Sequence, residues 1–208
     1  GDRSRYGESR SNEKEIAATD LGPEHFLTYE FGIKGENGPV TAAATIYYTQ
    51  IDDYITSTPT GKIVDGLTEV TKRNSGSGSV FGVEFAGSYQ FADDWMVKGN
   101  LTYLRGDLES YVEASSFQTL NEPLSRVQPL TVNLALRWDS PNKNWWGEFA
   151  CTFVNKADRL SSGDKEDTQR IPPGGTPGYS LLGLYGGYIL NENLRVSLAL
   201  ENLLDQPY

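Results

Sequence analysis

Four arginines, Arg105, Arg126, Arg159 and Arg170, lie in or beside the longest breaks between apolar segments of this chain, with Tyr111 and Phe117 close by. A guanidinium makes fork-like contacts with carboxylates, and an aromatic ring offers a stacking face. Together they suit capture of an anionic organic ligand. Acids crowd the same breaks: Glu109, Glu113 and Glu122 in one, Asp158, Asp164, Glu166 and Asp167 in another. The alternative is that the arginines pair with these acids and only order the loops.

Other chemistries find little support. With His25 as the only histidine and Cys151 as the only cysteine, a Ser/His/Asp set, a zinc-type N/S site and an intrachain disulfide all lack residues. Gly76, Gly78 and Gly82 miss the dinucleotide spacing and read as a flexible loop end. Gly174-Gly175 reads as a turn-rich loop re-entering a strand. Asp52-Asp53 and Asp93-Asp94 point to opposite faces of any strand that holds them, which denies glycosidase geometry. Asp164, Glu166 and Asp167 lack the EF-hand pattern and read as a solvated loop rather than a Ca²⁺ site. The Asn100-Leu101-Thr102 sequon falls inside a strand and is discounted. No catalytic residue, cofactor or metal ligand is assigned, and no enzyme is expected.

Composition sets the frame. The 208 residues are 38% hydrophobic and 12% aromatic, with 22 Gly. The aromatic content argues for a folded chain. No run reaches the roughly 18 apolar residues of a membrane helix. A formal charge of −10 is a poor match to nucleic acid. The polar opening, 1–20, lacks the apolar stretch of a signal peptide, so this sequence is expected not to start at its natural beginning.

The elements that must position the arginines alternate with period two. Leu27, Tyr29, Phe31 and Ile33 share one face of a first strand. Asn37-Gly38 predicts a hairpin into 40–55, which grows irregular near Asp52 and Asp53. Phe81, Val83, Phe85, Tyr89 and Phe91 form a third apolar face, and Trp95, Val97, Leu101 and Tyr103 a fourth. Leu130, Val132, Leu134, Leu136 and Trp138 form a fifth, Trp145, Phe149, Cys151 and Phe153 a sixth. The seventh segment, 179–190, is apolar on both faces and stays unassigned. Leu194, Val196, Leu198 and Leu200 form the eighth.

Gaps between these segments alternate. The short ones are 35–39, 92–94, 139–144 and 191–193; the long ones are 57–79, 105–127 and 155–177. Short turns on one side and long loops on the other is the layout of an outer-membrane β-barrel. Phe91, Trp95, Trp138 and Trp145 lie at strand ends on the short-turn side, as an aromatic girdle would. The fold expected is all-β, an antiparallel meander of about eight transmembrane strands within a larger barrel.

Four stretches also resemble a known family. Leu21-Gly22-Pro23-Glu24 with Tyr29-Glu30-Phe31-Gly32-Ile33-Lys34 is similar to a signature of TonB-dependent outer-membrane receptors. Tyr47 through Ile55 resembles their next strand. Asn74 with Gly82-Val83-Glu84 resembles the one after, and Glu201 through Tyr208 a signature near the family's C-terminus. Order and spacing agree. The stretch from Ala157 to Tyr179 is similar to members labelled as haem or siderophore receptors. The resemblance implies that residues 1–208 are the C-terminal portion of a 22-stranded barrel, without its plug and its last strand. Residues 1–23 would be an outer loop and 24–205 strands, with outer loops 57–79, 105–127 and 155–177. It further implies a location in the bacterial outer membrane and TonB-driven uptake of a scarce chelate such as a ferric siderophore or haem. The partners would be the iron chelate, TonB through the plug, and lipid. The family's haem-binding loop histidine has no counterpart here, so His25 is given no ligand role. Two alternatives stay open: a self-contained eight-stranded barrel with a structural or adhesin role, and a soluble carbohydrate-binding β-sandwich.

Overall fold

Alternation at period two puts successive side chains on opposite faces, and short turns force neighbouring segments to pair antiparallel. The result, seen in a computed structural model that describes residues 13–111 and 118–207, is one sheet. Its strands are β1 (Glu13–Ile16), β2 (His25–Asn37), β3 (Val40–Val64), β4 (Leu67–Ala92), β5 (Trp95–Tyr111), β6 (Thr119–Pro123), β7 (Thr131–Asp139), β8 (Trp145–Val154), β9 (Tyr179–Asn191) and β10 (Leu194–Leu200). A five-residue helix, α1 (Ser162–Glu166), lies between β8 and β9. The meander runs β10-β9-β8-β7-β5-β4-β3-β2, with β1 added parallel to β4 and β6 added to β5. Its ends, β2 and β10, do not pair with each other. A closed eight-stranded barrel and a two-sheet sandwich are both excluded by this topology.

The register fixes the faces. Tyr29 lies opposite Tyr48, Tyr48 opposite Phe81, and Phe81 opposite Arg105. Farther along, Phe85, Leu101, Val132 and Phe153 fall in one cross-strand row. Residues directly opposite share a face, so the apolar sets of all strands form one continuous surface. That surface is bare: Phe31 is 70% exposed, Ile33 68% and Leu198 66%. Among the described residues, only Ala18, Ile51, Ile55 and Val70 are buried hydrophobics. Leaving such side chains in water forgoes about 1.5–3 kcal/mol each. Hydrocarbon outside the sheet removes that cost, so the apolar face is the lipid face. On β4 the band runs from Phe81 to Phe91. At about 3.3 Å per residue and a tilt of about 40°, that is about 25 Å of membrane.

The short-turn end carries the aromatic belt. Phe91 stacks on Trp95 with ring centroids 6.4 Å apart, and Trp145 meets Tyr188 at 4.2 Å. Trp95 lies opposite Trp138, whose Nε1 donates to Asp94 at 3.0 Å. The register also orients β9. Leu184 sits opposite Phe149 and Leu200, and Tyr185 opposite Glu148 and Ala199. Leu182, Leu184 and Tyr188 therefore face lipid, whereas Leu181, Tyr185 and Ile189 face the lumen.

The lumen face is polar. Asn133 donates to Asn100 at 2.9 Å and accepts from Thr152 at 2.7 Å. Lys98 pairs with Glu148 at 2.8 Å, and Arg137 lies 4.1 Å over the Trp146 ring. Two rings cover glycines of the next strand: Tyr47 lies across Gly82, and Trp146 across Gly187. Flat rings over glycine replace the missing side chain without filling the lumen.

Several expectations change. The break at 57–79 is not a loop without regular structure. β3 and β4 continue through it and turn at Asp65-Gly66, both with positive φ (56° and 79°). That is the Asp-Gly signal of a tight hairpin, hidden because Thr, Ser and Lys replace the apolar alternation once the strands leave lipid. For the same reason β5 continues to Tyr111 and pairs with β6 inside the break at 105–127. Gly76 and Gly78 lie within β4 rather than at a flexible loop end. A Cβ on Gly76 would come within 2.7 Å of Thr56, and one on Gly78 within 2.7 Å of the Asp107 carbonyl. The first hairpin turns on Gly38-Pro39, one residue beyond Asn37-Gly38. Asn37 pairs with Val40, and Gly38 has φ 57°, as a turn with glycine first requires. Pro39 cannot adopt the positive φ that a turn of the Asn-Gly kind needs at its second position.

Candidate ligand-binding site

Beyond the lipid band, on the side away from the short turns, the ends of β5, β7 and β8 are roofed by two segments, 118–130 and 155–177. Between them lies a pocket of about 680 Å³, within the size range of small-molecule sites. Its floor is apolar, with Leu104 and Val154 from the strands and Leu124, Val127, Leu130 and Ile171 from the roof. Around it stand four cationic side chains, Arg126, Lys156, Arg159 and Arg170, against two acids, Asp158 and Asp164. The lining thus carries an excess of positive charge in a chain of net −10.

The arginines are held in pairs by single carboxylates. Asp107 accepts from Arg159 Nη2 at 2.6 Å and from Arg105 Nε at 3.3 Å. Asp167 accepts from Arg126 Nη2 at 2.9 Å and lies 3.6 Å from Arg170 Nη1. Two cations on one anion leave each triad with one net positive charge. Burial is the largest single influence on the Asp107 pKa and raises it. The hydrogen bonds and charges of Arg159 and Arg105 together outweigh burial and hold the carboxyl below its ordinary value.

Of the six expected ligand residues, the structure brings Arg126, Arg159 and Arg170 to one pocket. Arg105 joins only through Asp107. Tyr111 ends β5 opposite Thr119 and does not line the pocket. Phe117 and Glu113 lie outside the described residues. All four arginines are paired with acids, Arg105 and Arg159 with Asp107, Arg126 and Arg170 with Asp167. Asp107 was not singled out from the sequence, although the Arg-x-Asp spacing at 105–107 places both side chains on one face of β5.

The acids considered for Ca²⁺ are engaged otherwise. Asp164 caps α1: it accepts from the Ser161 backbone at 3.1 Å, while its own N–H donates to Ser161 Oγ at 3.1 Å. Asp167 holds the arginines. Among the described residues no group of three or more His, Cys, Asp or Glu side chains is placed to hold a metal ion. His25 is pinned to Asp53 by a 2.9 Å contact, and Cys151 belongs to the lipid face.

An open, inside-out meander of this kind has counterparts among known folds. A family model described as TonB dependent receptor-like, beta-barrel matches residues 3–203. The chain belongs to this family of TonB-dependent receptor barrels. It is therefore part of an outer-membrane barrel of the Gram-negative type, in a family of receptors rather than enzymes. Among solved structures, this receptor barrel is similar to the copper transporter OprC, at 22% identity and TM-score 0.68 over 91% of this chain and 27% of that one. It is also similar to the FrpB iron transporter from Neisseria meningitidis, at 15% identity and TM-score 0.67 over 92% of this chain and 29% of that one. The siderophore receptor PirA from Pseudomonas aeruginosa matches at 19% identity and TM-score 0.59, over 93% and 29% respectively. At these identities the likeness carries the fold alone. The chain spans less than a third of each of those structures.

Proposed function

We propose that this receptor barrel takes up an anionic metal chelate, such as a ferric siderophore, across the outer membrane, with TonB supplying energy through a plug domain outside this stretch. The single observation that supports this reading is the basic pocket with an apolar floor at the outer rim. Arginine forks match anionic oxygens, and an apolar floor suits an organic ligand body. A bare copper ion fits this stretch less well. Soft thiolate and thioether ligands select Cu(I), and the one Cys and one Met here do not meet: Cys151 faces lipid and Met96 the lumen. We also place the chain in the C-terminal part of the barrel, ahead of its closing strand, on the order of its four family-like stretches. Residues 1–23, 57–79, 105–127 and 155–177 would then lie on the outer side.

The test is uptake of radio-iron by cells carrying the complete receptor. Three probes would be offered: ferric citrate, a ferric tris-catecholate and a cationic hydroxamate chelate. Energised uptake of at least one anionic probe, lost when TonB is removed, is expected. Preference for the cationic probe, or uptake indifferent to TonB, would sink the reading.

A further inference from the structure

We propose that segments 118–127 and 155–177 form one lid, pinned by Asp164, that sits over the outer pocket as a single body. The two segments are far apart in sequence, yet three separate contacts join them. Ser125 Oγ donates to Asp164 Oδ1 at 2.6 Å, the Ser162 backbone N–H donates to Glu122 Oε2 at 2.7 Å, and Arg126 donates to Asp167 at 2.9 Å. A fourth ties 155–177 to the wall, through Arg159 and Asp107.

Asp164 is the pin because it serves both segments at once. Its side of the contact is buried, at 4% exposure. One carboxylate oxygen takes the Ser125 hydroxyl and the other takes the Ser161 N–H that starts α1. A five-residue helix does not hold itself in water, since nucleation outweighs so few backbone bonds. α1 is therefore ordered by the clasp, and the clasp is presented by α1. Arg126, at the other side, holds a left-handed φ of 57°, a conformation a non-glycine residue keeps only when its surroundings fix it. The cost of ordering the roof is thus met in folding, and a ligand meets a preformed pocket.

The proposal needs no ligand and stands apart from the uptake reading. Nitroxide labels would be placed at Leu120 and Lys165 of the complete receptor carrying Cys151→Ser, in outer-membrane vesicles. Their distance distribution should show one narrow peak. Asp164→Ala should abolish that peak. So should the pair Ser125→Ala and Glu122→Gln, which cuts between the segments and leaves the α1 cap intact. A broad or double distribution in the parent protein would overturn the proposal. So would a narrow peak surviving in the Ser125→Ala, Glu122→Gln variant.

Discussion

Asn74 grips Gly22 with both ends of its amide. Oδ1 accepts the Gly22 N–H at 2.8 Å, and Nδ2 donates to the Gly22 carbonyl at 3.0 Å and to the Asp53 carbonyl at 2.8 Å. Beside it, Glu24 Oε1 accepts the N–H of Ile55 at 2.9 Å, next to the irregular pairing where Asp53 takes φ 58°. The family-like residues of three stretches thus meet at one junction, which fastens the strap 13–24 to the hairpin of β3 and β4 beyond the lipid band. A net hydrogen bond contributes about 1 kcal/mol, so Asn74→Ala should loosen the strap by about 2–3 kcal/mol. Hydrogen exchange would register this as lost protection in 13–24 with the membrane strands unchanged. Protection unchanged throughout would remove the junction from the account.

Tyr47 and Gly82 form the second linked pair. A side chain on Gly82 has to displace the Tyr47 ring, so Gly82→Val should cost about 1–3 kcal/mol through overpacking. Tyr47→Ala alone uncovers the glycine. In the double variant the added methyls occupy the vacated space, so the two losses should not add. Urea unfolding of the complete receptor in detergent, followed by gel mobility, reads the cycle; strict additivity would contradict the packing.

The seventh apolar segment illustrates what the sequence withheld. Seven of the eight faces were legible from alternation, because lipid accepts only apolar side chains and the lumen prefers polar ones. The stretch 179–190 carries Leu, Tyr and Gly on both faces, and only its register against Phe149 and Glu148 orients it. With Cys151 replaced by Ser, Tyr185→Cys should react with a membrane-impermeant maleimide supplied from outside. Leu184→Cys should stay protected until detergent is added. The reverse pattern would invert the sheet.

The β3–β4 hairpin beyond the lipid band and the pocket were illegible for a different reason. Outside lipid, period-two patterning no longer has a solvent to select it, so Ser57, Lys72 and Ser77 enter strands unannounced. The pocket joins residues from 103 to 179, and no local spacing encodes that approach. The arginines were visible as residues, and their neighbouring acids as charges, but the pairing of two arginines with each of Asp107 and Asp167 is set only by the folded chain.

Acid should loosen the lid late. For Asp164, burial is the largest influence and raises its pKa, but hydrogen bonds from Ser125, Ser161 and the Arg126 backbone outweigh it and leave the pKa lowered. A carboxyl with a depressed folded pKa contributes stability that is present above the unfolded value and is lost as pH falls through the folded one. The same holds for Asp107. Protease resistance of 155–177 should persist from neutrality down to about pH 4 and fall below it. Loss near pH 6 would show that these carboxylates do not hold the lid.

The most direct test of the whole account is titration of the purified, complete receptor with anionic chelates, ferric citrate and a ferric tris-catecholate, before and after Arg126→Gln with Arg170→Gln. Charged hydrogen bonds are worth about 1.5–3 kcal/mol each, so affinity for the chelate that binds should fall at least about tenfold, with the circular dichroism of the barrel unchanged. Equal affinity in parent and variant would contradict anion capture at the outer pocket.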